Sequence, residues 1–323
     1  MPADGSLLSG DVALGTTRRN NELEYGQMTQ RIGFIGAGLM GHGAAKHILL
    51  AGYPVTVIAN RNRAPIDDLV GRGATEVHSI SEVAAASDIV FLCLPDAPTV
   101  QSTIRKADGL LAGAHKDLIV LDMTTSLPEV TRELAAELDT HGVVFIDAPM
   151  TRTPAEAEEG RLNVLLGGSD DVIQQVRPVV ETFCENVWHV GSTGAANAFK
   201  LLNNFIAIST MATVLEAEVA ASRFGIDHGK LLEIAGQGGA ASTILQKLMP
   251  YPIDGDDSHF QAHASTVLKD LSYYNQMADA AGLHSMMSKS AQQFFQLACS
   301  LGGSDTLIPA LYDTFNKLGD KAS

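Results

Sequence analysis

A lysine and an asparagine stand four residues apart at the start of a long apolar segment, and this pair could do proton chemistry. Lys200 and Asn204 belong to the stretch GSTGAANAFKLLNN at 191–204, in which Asn197 is a plausible helix start. In a helix, residues four apart lie on one face. An ammonium and an amide on one face can hold a single small oxygen atom between them. The pair therefore predicts a site at which Lys200 moves a proton to or from a carbonyl or hydroxyl oxygen.

A second motif, G-x-G-x-x-G, follows the short apolar run 31–35 and precedes residues with helical spacing. The first glycine permits a tight turn, the second lets the backbone approach a pyrophosphate, and the third lets the helix pack on the strand. The helix N-terminus supplies donors and a positive dipole. A strand before the motif and a helix after it predict dinucleotide binding. The predicted cofactor contacts in this turn are Gly36, Gly38, Leu39, Met40 and Gly41.

The residues after the second predicted strand, 55–58, indicate which dinucleotide binds. NAD sites usually place a carboxylate there to hold the ribose 2′-hydroxyl, whereas a 2′-phosphate requires its absence together with arginine. This chain has Asn60, Arg61, Asn62 and Arg63. The missing carboxylate and the added guanidinium groups predict NADP, with NAD still possible. The alternative is that both arginines belong to a solvated loop.

The elements that must position these groups change type near residue 194. Before it, short apolar strands alternate with helices, which predicts a parallel sheet with helices on both faces. After it, only helices are predicted. The predicted strands are 31–35, 55–58, 89–94, 118–122, 143–146, 160–168 and 187–190. The predicted C-terminal helices are 195–223, 227–235, 242–248, 265–281, 286–301 and 308–317.

The prediction is therefore an α/β Rossmann N-terminal domain followed by an all-helical C-terminal domain. The NADP-binding Rossmann domain is expected at 29–193, and the helical domain, for substrate binding and dimerisation, at 194–323. Residues 1–28 carry acidic residues among Gly, Ser and Asn, which predicts a disordered tail.

Composition limits the possible functions. The chain has 46% hydrophobic and 18% charged residues, a formal charge of −15 and a pI near 5.0. Nucleic-acid binding is disfavoured because a phosphate backbone would be repelled. The three cysteines lie far apart, which predicts a reducing, cytoplasmic location without a metal site. The apolar run 205–219 is interrupted by Glu216 and Glu218, so no membrane span is predicted.

Several further motifs occur in combination. They are LP at Leu94–Pro95, DMTT at 122–125, DAP at 147–149 and VLKDL at 267–271. Together with GFIGAGLMG and the Lys200–Asn204 pair, they resemble the β-hydroxyacid dehydrogenases, a family that includes 3-hydroxyisobutyrate dehydrogenase, tartronate semialdehyde reductase and succinic semialdehyde reductase. This resemblance implies an active site in the cleft between the two domains and a homodimer or homotetramer.

The resemblance also implies roles for individual residues. Lys200 falls on the family's catalytic lysine, and Lys269 falls on a lysine near the nicotinamide. Asn204 could hold the substrate or orient the lysine. The alternative for Lys269 is a local ion pair with Asp270 on a solvated helix face. The further cofactor positions implied by the family are Leu94, Pro95 and Thr125.

One segment departs from the family pattern. Family members usually read DAPVSGG, where the serine and glycines bind the substrate carboxylate; this chain reads DAPMTRT, with Thr151, Arg152 and Thr153. Thr151 keeps a hydroxyl, and Arg152 adds a guanidinium suited to bidentate anion recognition. An arginine–threonine pair here resembles the sulfolactaldehyde reductases. We therefore expect a small anionic substrate held by Thr151, Arg152, Thr153 and Lys269.

The sequence thus predicts hydride transfer between NADP(H) and a short β-hydroxyacid or the matching acidic aldehyde, with Lys200 as general acid and base. Two alternatives are an NADPH-dependent imine reductase, whose family usually lacks this lysine, and a non-catalytic dinucleotide-binding module. Two strand-ending carboxylates, Asp122 and Asp147, are expected to cap or turn the chain rather than to titrate in catalysis. Ser242 could contact a ligand or simply join two helices.

Overall fold

A computed structural model describes residues 30–320 of the chain, and the predicted tail at 1–28 lies outside the described residues. Within the described part, the strands are β1 Ile32–Ile35, β2 Val55–Ile58, β3 Thr75–Val77, β4 Ile89–Leu92, β5 Ile119–Asp122, β6 Val144–Asp147, β7 Met150–Thr151, β8 Leu162–Gly167 and β9 Cys184–Gly191. The helices up to Val180 are α1 Gly41–Leu50, α2 Ala64–Gly71, α3 Ile80–Ala85, α4 Ala97–Arg105, α5 Leu110–Gly113, α6 Pro128–Asp139, α7 Pro154–Glu158 and α8 Asp170–Val180. The later helices are α9 Ala195–Phe224, α10 His228–Gly236, α11 Thr243–Leu248, α12 Pro250–Asp254, α13 Ala264–Ala280, α14 Met286–Gly302 and α15 Leu311–Asp320.

The strands form one sheet in the order β3-β2-β1-β4-β5-β6-β8-β7, with β9 paired to β8. The first six strands are parallel, and their order 3-2-1-4-5-6 is that of the Rossmann fold. Chain order reverses between β1 and β4, and ligands of such sheets bind in the crevice at that point. The Rossmann prediction is confirmed.

The predicted parallel sheet holds for β1 to β6, and the sheet becomes mixed at its far edge. Strand β8 runs antiparallel to both β6 and β7, and β9 is parallel to β8. The short β7 and β3 were also missed, because two or three residues carry no readable alternation. The antiparallel pairing of β7 and β8 follows from the short connection between them through α7, because a parallel pair would need a longer crossover.

Apolar side chains cover both faces of the sheet. Strands β1, β4 and β5 are buried along their whole length, as expected for central parallel strands. One core includes Phe34 and Phe91, whose rings stack with centroids 5.8 Å apart. The other, on the opposite face, includes Val90 and Val120. The two cores fix the carboxyl ends of the strands, where the glycine turn lies.

The helices after Gly191 surround α9, which has 30 residues and is about 45 Å long. It packs against α11, α13, α14 and α15 through a core that includes Ile208, Leu215 and Phe295. By length and composition alone α9 could cross a membrane. The all-helical prediction for this part is confirmed; the five-residue α12 was missed because Pro250 and Pro252 mask a helical pattern.

Candidate active site

A cleft of about 770 Å³ lies between the carboxyl ends of β1, β4 and β5 and the helices α9 and α13. Most of the site residues predicted from the sequence line this cleft. Those that line it are Gly36, Gly38, Leu39, Met40, Gly41, Leu94, Pro95, Thr125, Arg152, Lys200, Asn204 and Lys269. Those that do not are Asn60, Arg61, Asn62, Thr151 and Thr153.

The glycine turn has the geometry of a dinucleotide cradle. Gly36 has φ +102°, and a Cβ there would lie 2.1 Å from the carbonyl oxygen of Cys93. A Cβ on Gly41 would lie 2.2 Å from the oxygen of Gly36, so these two glycines are required by the turn itself. A Cβ on Gly38 would meet no atom of the described residues within 4 Å. Since Gly38 lines the cleft, a side chain there would fill space that a pyrophosphate needs.

The start of α1 suits the same group. Among residues 30–320, no side chain caps α1, and the first turn of the helix contains no acidic residue. A helix N-terminus of this kind presents backbone donors and the positive end of its dipole to an anion. The residues present therefore fit a nicotinamide dinucleotide, with the pyrophosphate at the glycine turn.

The ends of β4 and β5 form the floor of the cleft. The backbone N–H of Leu94 donates to Thr124 Oγ1 at 3.0 Å, and the N–H of Thr124 donates to Asp122 Oδ1 at 2.9 Å. Burial raises the pKa of Asp122 to about 7. The carboxyl group of Asp122 thus closes a turn, as expected, and this turn places Thr124 and Thr125 along the cleft.

A buried network anchors the first turn of α9. Asp147 accepts hydrogen bonds from the N–H groups of Gly194 and Asn197, both at 2.7 Å, and a carboxyl group at a helix N-terminus is favourable. Burial raises the pKa of Asp147, although these hydrogen bonds oppose the shift. The side chain of Asn197 accepts from Ser126 N–H at 3.0 Å and donates to Thr131 Oγ1 at 3.0 Å.

The prediction that Asn197 begins the helix is therefore wrong. The helix begins at Ala195, preceded by Gly194 at φ +92°, and Asn197 lies inside the first turn. The N-capping contact comes from Asp147 of a distant strand, which no local pattern shows. The consequence is a fixed helix direction, because β5, β6 and α6 all hold the turn that precedes Lys200.

Lys200 and Asn204 face the cleft one turn further along α9, opposite α13. Asn204 Nδ2 donates to Asp270 Oδ2 at 2.6 Å, and Lys269 Nζ lies 3.2 Å from Asp270 Oδ1. Lys269 Nζ also donates to the carbonyl oxygen of Pro95 at 3.0 Å, which joins α13 to the loop after β4. Two lysines, an amide and a carboxylate thus converge beside the glycine turn.

The charges around Lys200 set its proton affinity. Burial lowers the pKa of Lys200, the Asp270 carboxylate opposes this, and the Lys269 ammonium adds to the lowering. Other charged groups at the cleft have partners of their own: Asp96 accepts from Thr99, and Arg152 pairs with Glu185. A lysine with a lowered pKa in a cleft can exchange its proton near neutrality more readily than a solvated one.

Asp270 is the site residue that the sequence reasoning missed. The open alternative, a solvated ion pair with Lys269, does not describe it, because Asp270 is buried and also holds Asn204. A signal was present: Val267, Asp270, Leu271 and Tyr274 follow the i, i+3, i+4, i+7 spacing of a buried helical face. A carboxylate inside such a stripe is a functional candidate because burying an unpaired charge is unfavourable.

The substrate segment after β6 lies only partly at the cleft. Arg152 has φ +84°, a conformation that favours glycine, the residue that the family usually has here. Its Nη1 donates to Glu185 Oε2 and to the carbonyl oxygen of Arg161, both at 2.6 Å. Thr153 precedes α7, where its N–H donates to Glu156 Oε2 at 3.0 Å. Anion binding by Arg152 and its neighbours stays a prediction.

The two arginines in the loop after β2, Arg61 and Arg63, differ in their contacts. Arg63 donates to both oxygens of Glu76, at 2.9 and 3.0 Å, and to Asp67. Arg61 is exposed, and no hydrogen bond or ion pair from its side chain occurs within the described residues. Asn62 accepts from Ala64 N–H at 3.2 Å, so it shapes the turn into α2. Of the two guanidinium groups, that of Arg61 is available to a ligand.

The remaining polar candidate, Ser242, has a structural role. Its Oγ accepts from the N–H of Leu245 at 3.0 Å, so it caps α11, and it does not line the cleft. Of the two interpretations left open, the structure supports a connection between helices.

A Rossmann sheet with a pyrophosphate cradle, opening onto a cleft that holds a lysine, defines a nicotinamide-dependent oxidoreductase. Comparison with known proteins agrees. The family described as the NAD-binding domain of 6-phosphogluconate dehydrogenase matches residues 31–191. The family described as NAD-binding of NADP-dependent 3-hydroxyisobutyrate dehydrogenase matches residues 194–313. The chain belongs to the β-hydroxyacid dehydrogenase family, whose members oxidise hydroxyacids or reduce the matching oxo compounds.

Three relatives illustrate the similarity. 2-(Hydroxymethyl)glutarate dehydrogenase of Eubacterium barkeri is 32% identical over 228 residues, covering 70% of this chain and 75% of that protein. A probable mitochondrial 3-hydroxyisobutyrate dehydrogenase-like protein of Arabidopsis thaliana is 31% identical over 288 residues, covering 89% of this chain and 94% of that protein. The solved structure of Psf3 in complex with NADP+ and 2-OPP has 26% sequence identity and a TM-score of 0.78, covering 88% of this chain and 99% of that chain.

Imine reductases share the fold at greater distance. The enzyme from Myxococcus stipitatus has a TM-score of 0.59 at 21% identity, covering 89% of this chain. A likeness at that level concerns the fold alone.

Proposed function

We propose that this protein transfers a hydride between NADP(H) and a hydroxyacid or the matching acidic aldehyde, with Lys200 as general acid and base. The observation that carries the proposal is the convergence of Lys200, Asn204 and Lys269 beside the glycine turn. The nicotinamide, when bound, supplies or accepts the hydride.

The chain's own residues provide the proton and the orientation. In reduction, the Lys200 ammonium donates a proton to the carbonyl oxygen and stabilises the charge that develops there. In oxidation, neutral Lys200 accepts the hydroxyl proton, which its lowered pKa favours. Asn204, held by Asp270, offers its amide to the same oxygen or to a neighbouring polar group of the substrate. Besides Lys200, the cations that line the cleft are Lys269 and Arg152, and an acidic group would bind them alongside or in place of their present partners, Asp270 and Glu185.

A substrate panel tests this function. NADPH oxidation is measured with short aldehydes that carry a carboxylate, a sulfonate, a phosphonate or no charge, and with a cyclic imine. We expect turnover of an anionic aldehyde and little of the neutral one, because an acidic group gains charge-assisted hydrogen bonds from the lysine and arginine side chains that line the cleft. Turnover of the imine alone would favour the imine reductase alternative, and NADPH binding without any turnover would favour the binding module.

The choice of NADP is part of the proposal and has its own test. The carboxylate typical of NAD sites is missing after β2, and Arg61 has no acidic partner within the described residues. We expect NADPH to bind at least about 10-fold more tightly than NADH, about 1.4 kcal/mol. Arg61→Ala should remove most of this difference by weakening NADPH alone. Arg63→Ala is the matched control, since its guanidinium is held by Glu76. Equal affinities in the unmodified protein would contradict the assignment.

We further propose a cytoplasmic homodimer or homotetramer that acts on a small anionic substrate, without nucleic-acid or membrane partners. The charge of −15 supports the absence of nucleic acid. Phe199, Leu202 and Ile206 lie along α9 at helical spacing and are 52%, 45% and 66% exposed. This apolar stripe is suited to a second copy of the chain.

A further inference from the structure

The cleft continues beyond Lys200 and Asn204 along α9. Ala207, Ile208 and Met211 also line it, and their spacing from Lys200 keeps all five side chains on one helix face. From Lys200 to Met211 the helix rises about 16 Å. A short hydroxyacid with its reacting carbon at Lys200 would occupy only the first part of this length.

The second wall of this extension comes from the segment before α13. Phe260 and Ala262 line the cleft there, and they pack against the same apolar cluster as Ala207, Ile208 and Met211. We name these five residues the apolar chamber. None of them has a charged side chain or a side-chain hydrogen-bond donor. The same segment also brings four polar residues to the cleft: Gln261, His263 and Thr266, which are exposed, and Ser265, which is half-buried. His263 Nδ1 contacts the carbonyl oxygen of Asp305 at 2.8 Å.

The cleft is therefore amphipathic, with Lys200, Lys269 and Asp270 at one end and the apolar chamber at the other. A polar substituent in contact with the five chamber side chains would lose hydration without a hydrogen bond from any of them, whereas an alkyl substituent there loses none. We infer that the substrate carries, besides its acidic group and reacting carbon, an apolar substituent of several carbon atoms that lies in the apolar chamber. This inference rests on the proposed function for the end at which the reaction occurs.

Binding of non-reacting carboxylates tests the chamber without requiring turnover. Isobutyrate, 2-methylpentanoate and 2-methylheptanoate are titrated by calorimetry into the protein saturated with NADP+. Each added methylene should tighten binding about fourfold, corresponding to about 0.8 kcal/mol. In parallel, kcat/KM for oxidation of the corresponding 2-alkyl-3-hydroxypropanoates should rise in the same order.

Two variants fill the chamber from opposite walls. Ala207→Phe and Ala262→Phe should each reduce the affinity ratio of the longest to the shortest carboxylate to near one. Using both keeps the test valid if one variant fails to fold. Ala217→Phe is the matched control: it lies on the same helix but is exposed and does not line the cleft, so the ratio should be unchanged.

The outcomes separate the two proposals. The apolar chamber is overturned as a substrate site if carboxylate affinity falls or stays constant with chain length. It is also overturned if the affinity ratio of the longest to the shortest carboxylate is unchanged in both filling variants. Either result holds even if hydroxyacids are oxidised. If binding depends on chain length and both variants abolish this dependence, the chamber is supported even without turnover of any hydroxyacid. In that case only the proposed reaction is rejected.

Discussion

Replacing Lys200 by alanine is expected to lower kcat by about 10³-fold, which corresponds to about 4 kcal/mol of transition-state stabilisation. Lys200 lies beside Asn204 in the cleft, and its ammonium is the proposed proton donor, so alanine would leave the developing alkoxide without a proton. NADPH affinity should be unchanged, because the pyrophosphate cradle lies at Gly36–Gly41. Steady-state kinetics and equilibrium NADPH titration of the variant measure both quantities.

Two further variants sharpen this test. Lys200→Arg keeps the charge but does not deprotonate in proteins, so oxidation of the hydroxyacid should remain severely impaired. Lys230→Ala removes a lysine from exposed α10 and should leave kcat unchanged. If Lys200→Ala retained a tenth or more of the activity, Lys200 would not be the proton donor.

The pH dependence has a defined sign. In the proposed mechanism reduction requires the Lys200 ammonium, so the reduction rate should fall as pH rises through the pKa of Lys200. Oxidation requires the neutral amine, so the oxidation rate should rise over the same interval. Burial lowers that pKa, and the carboxylate of Asp270 opposes the lowering. Asp270→Asn should therefore move both transitions to lower pH. A purely structural role of Asp270 would reduce the rate without moving them.

Replacing Glu218 by glutamine is expected to stabilise the protein by about 3 kcal/mol at pH 7 and to have little effect near pH 4.5. Glu218 is fully buried on α9, and neither carboxyl oxygen has a hydrogen-bond partner within the described residues. Burial raises the pKa of Glu218 to about 8. In the unfolded chain the pKa is about 4.3, so the unfolded state releases a proton that the folded state keeps.

The sign of the effect follows from proton linkage. Between the unfolded and folded pKa values, each unit of rising pH lowers the free energy of unfolding by about 1.4 kcal/mol. The contribution of protonated Glu218 is complete below the unfolded pKa and is lost as pH rises through about 8. Glutamine does not titrate, so the difference between the two proteins should grow with pH.

Denaturant unfolding at several pH values between 5 and 8 measures this difference. Glu218→Met provides a second variant without a polar group, and it should show the same pH trend. Glu216→Gln is the control, since Glu216 is exposed two residues away on the same helix. A stability difference that is independent of pH would show that Glu218 ionises normally in the folded protein.

Much of this architecture was readable from the sequence because its signals are local. The glycine turn requires glycines at 36 and 41 for steric reasons within one strand–turn–helix unit, and buried parallel strands are continuous apolar runs. The Lys200–Asn204 pair needs only the helical repeat. Burial, by contrast, is only partly predictable from the sequence. Glu218 follows Val214 and Leu215 at the spacing of a buried face, yet a carboxylate in an apolar run is more typical of an exposed position.

Sequence by itself determined the Rossmann and helical parts, the glycine turn and the Lys200–Asn204 pair, since each depends on residues close together in the chain. Only the tertiary structure decided which partners distant groups have. It placed Asp270 against Asn204, 66 residues away, and paired Arg152 with Glu185, 33 residues away. It also made the apolar chamber from α9 and the segment before α13. Such pairings depend on how helices and strands pack, and packing has no local signature.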